Sequence, residues 1–338
     1  MRVLCLFDGV TGVSFHRLGT PYSRLQIDYG ITVDVSINQD DWVNLDYSKY
    51  DVLVINRWFG KYQYNILPII EKANIPFVVD IDDYWVLPKY NPSYPYYRAY
   101  IKNGIKDALS FADAVTCTTP QLKEKCEEFN ENVTILPNAL DLSQPQWNKK
   151  TDHKPTFGWV GGVSHTYDIQ LMRDYIKPIC EEQGYRFLMG GHHENQAKWY
   201  EMEKYITGVD RSKRPHWFDK REGTRADKYG EFYSEIDIAL APLTGDKFNR
   251  YKSELKILEA AAYRLPIFVS EVEPYTNHKG NMGVFFVKQN DWSEVTKLIE
   301  SGRMQEVGQA NYDYCNEHHN LKEINKKRLD VINSVLRK

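Results

Sequence analysis

The sequence predicts an α/β protein made of two successive domains, each a parallel sheet covered by helices on both faces. Three observations carry this. Short apolar runs alternate with helical stretches along the chain. The alternation breaks once, at the polar stretch SQPQWNKKTDHKP with its two prolines, and then restarts. A chain of 338 residues suits two domains of ordinary size with sizeable cores.

The elements follow in order. Val3 to Phe7 is a buried strand ending at Asp8-Gly9, followed by the loop DGVTGVS. Thr32 to Val35, Asp51 to Ile55 and Pro76 to Ile81 are further strands, with a helix over Tyr64 to Ala73. Ile101 to Ala112 is another helix, and AVTCTT and NVTILPN are two more strands. The stretch from Asn138 through Lys154 marks a boundary, separating residues 1–147 from 148–318. After it, PTFGWVGG, YRFLMGG, IDIALAP and LPIFVS read as strands. Helices are expected near Asp168 to Glu182, Tyr251 to Tyr263 and Asp291 to Ser301. The final segment, 319–338, is a helix with Ile324, Leu329, Ile332 and Leu336 apolar, expected to brace both halves.

Composition is globular, with 42% hydrophobic and 26% charged residues. A net charge of -3 gives no global attraction to nucleic acid or anionic lipid. Five scattered cysteines without CxxC spacing fit reduced thiols and a cytoplasmic location, and disfavour disulfides or a zinc site. No apolar run approaches the roughly 18 to 20 residues that span a bilayer, so no transmembrane segment is expected and the protein is read as soluble. The 24 Tyr and 8 Trp serve as core filling, or line a groove that stacks on sugars or bases.

The most informative segment is Asn249 to Ser270, NRYKSELKILEAAAYRLPIFVS. A helix from about Tyr251 puts Lys252, Lys256 and Glu259 on one stripe, at i, i+4 and i+7. Lys252 and Glu259 are then roughly 10 Å apart, close to the reach from a diphosphate to a ribose. A helix tip with Lys252 and Ser253 suits an anion, and a carboxylate further on suits a ribose diol. The same spacing also fits an amphipathic helix with a solvent-facing Lys-Glu pair.

KSELKILEAAAYRLPIFVS resembles the donor-site signature of retaining glycosyltransferases of GT-B architecture, the family-four-like group also termed glycosyl transferases group 1. The resemblance implies two Rossmann-like domains facing each other across a cleft. It implies a UDP- or GDP-linked sugar as co-substrate and neither a metal nor another cofactor. In that family a Glu before a small-residue run holds the donor ribose, and Glu259 matches it. A second Glu often stands eight residues earlier, where this chain has Tyr251. Lys252-Ser253 takes that place, with Glu254 and Leu255 completing the donor segment. FGWVGGVSHTYDI resembles the first strand and loop of the donor domain, with Gly161 and Gly162 opening backbone N–H groups to phosphate. His165 and Asp168 cap the next helix or touch the donor. The family's Arg and Lys are missing from this loop, and Arg250, Lys252 and Lys256 are the replacements. DGVTGVSFHRLGTP resembles the family's N-terminal loop through Gly12, His16, Arg17 and Pro21. Arg17 then neutralises phosphate or binds acceptor, with His16 on the acceptor side. LPNALD resembles the interdomain turn, where Asn138 contacts the donor or fixes the hinge.

Asp80, Asp82 and Asp83 stand at a strand end. They fit a divalent metal site, or a metal-free carboxylate loop such as the family has. Crowded carboxylates raise one another's pKa, so Asp83 or Asp80 is the candidate proton acceptor, with Arg17 and Lys252 as the catalytic cations. Tyr84, Trp85 and Tyr90 form an acceptor wall, or pack the loop. Residues 211–225 carry six Lys or Arg against two acids, a contact for an anionic partner or a solvated loop.

The resulting expectation is transfer of a hexosyl or pentosyl group to an acceptor hydroxyl, with retention. The acceptor is a glycan, a lipid-linked sugar, a protein or a modified nucleic acid. A nucleotide-sugar epimerase of the same architecture and a degenerate, non-catalytic binding module stay open. No GxGxxG follows the first strand, which disfavours a nicotinamide oxidoreductase.

Overall fold

A computed structural model describes residues 1–336 except 8, 10, 92, 148–154, 192–195, 224 and 289–290. The Asp8 end of the first strand and most of the expected linker therefore lie outside the described residues. The chain forms two units. One holds Met1–Ala139, Tyr251–Ser253 and His319–Lys338, and the other Leu140–Arg250 and Glu254–His318.

The first unit has six strands: β1 (Arg2–Leu6), β2 (Thr32–Ser36), β3 (Val52–Asn56), β4 (Phe77–Ile81), β5 (Ala114–Cys117) and β6 (Val133–Ile135). Their order is β2-β1-β3-β4-β5-β6, with every pair parallel. All residues of β3 and β4 are buried, because a parallel sheet is covered on both faces. The two-residue period sorts them. Leu4, Leu6, Leu53, Ile55 and Val79 pack with Trp42, Phe59 and Ile105 on one face. Val3, Cys5, Val52, Val54 and Val78 pack on the other with Leu18, Tyr22 and Leu25, the last two from helix α1 (Thr20–Tyr29). The strand order reverses between β1 and β3, so the loops after them flank the crevice where such sheets take ligands.

The second unit repeats the architecture with β7 (Thr156–Val160), β8 (Arg186–Gly191), β9 (Phe218–Glu222), β10 (Ile238–Ala241), β11 (Ile267–Ser270) and β12 (Val284–Val287). Their order is β12-β11-β10-β7-β8-β9, all parallel, with the reversal between β7 and β10. Helix α2 (Leu255–Ala262) covers one face through Ile257, Leu258 and the small residues Ala260 to Ala262. Phe157, Trp159, Phe187 and Met189 pack the other face with Trp199, Trp217 and Trp292.

The C-terminal helix α3 (Leu321–Leu336) is grouped with the first unit. Val331, Ile332 and Val335 enter the cluster of Val3 and Leu25, and Asn325 Nδ2 donates to Pro21 O at 3.0 Å. The units divide between Ala139 and Leu140, whereas the expected boundary at 147/148 borders residues outside the description. Among the described residues no helix is long and apolar enough to cross a membrane. All five cysteines are free and buried.

Candidate functional site

At the carboxyl edge of the first sheet, Arg17 and Asp80 form a two-point ion pair. Nε meets Oδ1 at 2.8 Å and Nη2 meets Oδ2 at 2.7 Å, with both residues 1% exposed. Thr116 Oγ1 donates to the same carboxylate at 2.6 Å. Arg17 Nη1 donates to Leu136 O at 2.8 Å and Asn138 Oδ1 at 3.1 Å. The direct roles expected of Arg17 on phosphate or acceptor, and of Asp80 as proton acceptor, do not fit this geometry. Each is consumed by the other inside the unit. His16 is buried beside Arg17, and burial followed by the Arg17 charge pushes its pKa down to about 4, so it is a neutral imidazole. Gly12 opens a helical turn capped by Thr11, with open space where a Cβ would stand.

The other two aspartates part ways. Arg57 forks onto Asp82, Nε to Oδ1 at 2.8 Å and Nη2 to Oδ2 at 2.7 Å, and its Nη1 donates to the Tyr97 hydroxyl at 2.9 Å. Burial raises the Asp82 pKa, but Arg57 outweighs it and the net shift is downward. Asp83 moves up, through burial and then Asp82, against the pull of Lys252 and Arg57. Its side chain is 31% exposed, the more open of the two. The sequence reading does not single out Arg57. Its signal is a charged residue directly after the buried run DVLVIN, held at a positive φ of 65°.

The donor segment is built differently from the expectation. α2 begins at Leu255, with buried Glu254 at its N-cap and Asn249–Tyr251 forming a separate 3-10 turn. Lys252 and Ser253 precede the helix and do not share its stripe with Lys256 and Glu259. They belong with the first unit, as does Tyr251, whose ring centroid lies 4.5 Å from that of Tyr84. Ser253 Oγ accepts from Asn138 Nδ2 at 2.8 Å, and Asn138 O accepts from His319 Nδ1 at 3.0 Å. Arg250 instead pairs with Glu273 at 2.7 Å on the surface of the second unit.

Within the second unit, the loops after β7 and β10 are tied together. Asp168 accepts from Thr244 N and Oγ1, both at 2.8 Å, and from Asn249 Nδ2 at 3.2 Å, while His165 Nδ1 lies 2.7 Å from its other oxygen. Burial raises the Asp168 pKa, and the His165 bond and charge with the Thr244 bonds bring it below the usual value. Gly161 N donates to Gly190 O at 2.9 Å, so its amide is spent in the sheet and only that of Gly162 remains a candidate. A Cβ at Gly161 would stand 2.5 Å from the Trp159 ring and 2.8 Å from Lys256 Nζ. Glycine there lets Lys256 lie across the strand end, where its ammonium donates to Val160 O. One turn on, Glu259 accepts from the Tyr233 hydroxyl at 2.7 Å. Burial lifts its pKa to about 7 against the pull of Lys256 and Tyr233.

The aromatic run divides. Trp85 is buried in the core, Tyr84 packs between Trp85 and Tyr251, and Tyr90 stays exposed. Trp85 therefore fills the core rather than walling an acceptor. In residues 211–225 most cations meet local acids: Arg214 forks onto Glu203, Lys220 reaches Glu203 and Glu222, Arg221 reaches Asp219 and Glu235, and Arg225 reaches Asp227. Thr224 lies outside the described residues.

Two parallel six-stranded units of this order define a Rossmann-like protein of GT-B architecture. Residues 154–301, which fall in the second unit, match the model of the glycosyl transferases group 1 family. No curated protein matches the chain in sequence. Among solved structures it is similar to sucrose-phosphate synthase from Thermosynechococcus elongatus, at 11% identity and a TM-score of 0.72 over 100% of both chains. It is also similar to HepE from Anabaena in complex with UDP-glucose, at 12% identity and a TM-score of 0.71, covering 99% of this chain and 100% of that one. UDP-GlcNAc 2-epimerase from Neisseria meningitidis bound to UDP-GlcNAc aligns at 14% identity and a TM-score of 0.58, covering 99% and 100%.

Proposed function

We propose that the protein transfers a sugar from a nucleoside diphosphate sugar, UDP- or GDP-linked, to an acceptor hydroxyl, with retention and without a metal. The observation that carries this reading is Glu259. It stands buried next to Lys256, on the helix that packs the sheet matched by the group 1 family, and the sequence resemblance assigns its position to the donor ribose. In this reading Glu259 grips the ribose diol, and Lys256 and the Gly162 amide meet the diphosphate. Lys252 and Ser253 add further donors, so cations and amides take the leaving-group charge that a metal would otherwise carry. Asp83, the open carboxylate beside Lys252, accepts the acceptor proton. Transfer proceeds by front-face displacement, with no glycosyl-enzyme. We place the reaction in the cytoplasm, in line with the free, buried cysteines. The acceptor class stays as broad as glycan, lipid-linked sugar, protein or modified nucleic acid.

A panel of nucleotide sugars, screened by thermal shift and then by product analysis, tests this. One donor that stabilises the fold and is transferred or slowly hydrolysed with its configuration kept supports the reading. A fold indifferent to every donor, with no turnover, overturns it. The likeness to the epimerase keeps a second reading in play, and a free 2-epimer formed without acceptor would establish it. Tyr251 in place of the family's first Glu speaks for a non-catalytic module, which would bind donor and leave it intact.

A further inference from the structure

Resting on the donor reading above, we infer that Asn138 is a positioning residue that sets the Ser253 hydroxyl as a hydrogen-bond donor toward a diphosphate oxygen. The Asp80 carboxylate only accepts, and Arg17 only donates. Arg17 Nη1 lies 3.1 Å from Asn138 Oδ1, so that atom must be the amide oxygen. The amide nitrogen then faces Ser253 Oγ, 2.8 Å away, and can only donate to it. One lone pair of Ser253 is thereby filled, and its proton is turned away from Asn138. Among the described residues no acceptor takes that proton, and Ser253 is half-buried.

The neighbouring side chain has the same polarity, since the Lys252 ammonium carries donors only. The Lys252 ammonium and a Ser253 proton turned away from Asn138 together suit a ligand group that only accepts. In a nucleoside diphosphate sugar that group is the diphosphate; base, ribose and sugar all carry donors as well. The polarity is set from Asp80, through Arg17 and Asn138, by groups that are buried. This gives the Arg17–Asp80 pair a purpose beyond filling the unit.

The test is calorimetry of UDP and GDP, with uridine and guanosine as controls, on the full chain and on Asn138→Asp, Ser253→Ala, Ser253→Thr and the Asn138→Asp/Ser253→Ala double variant. A carboxylate in place of the Asn138 amide would force Ser253 to donate inward. A lost hydrogen bond to a charged group predicts roughly 10-fold to 100-fold weaker diphosphate binding in Asn138→Asp and in Ser253→Ala, with the nucleosides unmoved and Ser253→Thr near the parent. In the double variant the two losses do not add, whereas simple charge repulsion from the introduced carboxylate would weaken the Ser253→Ala background further. Additive losses, or parent-like binding in Ser253→Ala, overturn the inference; the second outcome holds even if Asn138→Asp fails to fold. A parent protein that binds neither UDP nor GDP sinks the donor reading itself, and the inference with it.

Discussion

Lys252 Nζ lies 4.0 Å from Asp83 Oδ2, and Arg57 Nη2 approaches the same oxygen at 4.0 Å. Of the aspartates at this strand end, Asp80 and Asp82 are each gripped by an arginine fork. Asp83 keeps an open carboxylate with a raised pKa. A base must be ionised to accept a proton. Turnover should therefore rise with pH through a point above the ordinary aspartate value of 3.8. Asp83→Asn should lower kcat by roughly 100-fold to 10,000-fold and remove that acid limb, while donor affinity holds. A pH-rate profile of the variant that keeps both rate and limb removes Asp83 from the chemistry.

Glu259 predicts a second pH effect of defined sign. Its folded pKa, about 7, lies above the ordinary 4.5. Below 4.5 the carboxyl is protonated folded or unfolded and costs nothing. Between the two values only the unfolded chain gives up its proton, so stability falls as pH rises, then levels off above about 7. The full loss is about 3 kcal/mol, at about 1.4 kcal/mol per pH unit. Glu259→Gln should flatten this slope in denaturation curves taken from pH 4.5 to 8. A ribose diol donates to the ionised form, so nucleotide affinity should climb over the same interval in the parent and not in the variant. Parallel affinity curves for the two proteins would exclude Glu259 from the ribose.

How much of this was legible in the sequence depends on what each residue has to satisfy. The six strands of the first unit were all readable, most clearly runs such as VLVI that are buried on both faces of a parallel sheet. β9 was not: Phe218–Glu222 reads FDKRE, an edge strand whose charges pair sideways, as Arg186 does with Asp219. The spacing of Lys256 and Glu259 was readable, and both lie on α2, since helical spacing is written in sequence. The same spacing misplaced Lys252, because nothing local says that the chain leaves helical geometry at Ser253. The partners of Arg17 were also invisible. Asp80 is 63 residues away and Asn138 is 121, and only the fold brings them together.

That pair yields a stability prediction. Removing one partner of a buried ion pair leaves the other charge uncompensated, at a cost of about 3 to 5 kcal/mol. Arg17→Met should lose about this much in chemical denaturation, and Arg17→Met/Asp80→Leu should recover most of it, because the stranded carboxylate is gone. A single variant as stable as the parent would mean that Asp80 finds water or another partner.

Tyr251 occupies the place where many relatives of the group carry their first Glu, which invites the idea that Tyr251→Glu would restore a better enzyme. The structure argues the opposite. Tyr251 is 5% exposed, belongs to the cluster that holds Trp85, and sets its ring against Tyr84. A glutamate there loses the ring contact and buries a carboxylate among apolar side chains, which together should cost about 3 kcal/mol or more. Tyr251→Phe keeps the ring and should stay within about 1 kcal/mol of the parent. Because Tyr251, Lys252 and Ser253 enter the first unit as one segment, the destabilised Tyr251→Glu protein should also bind nucleotide less tightly. Denaturation and calorimetry on the two variants decide the point: a Tyr251→Glu protein of parental stability and higher turnover would show that the tyrosine merely replaces a lost catalytic acid.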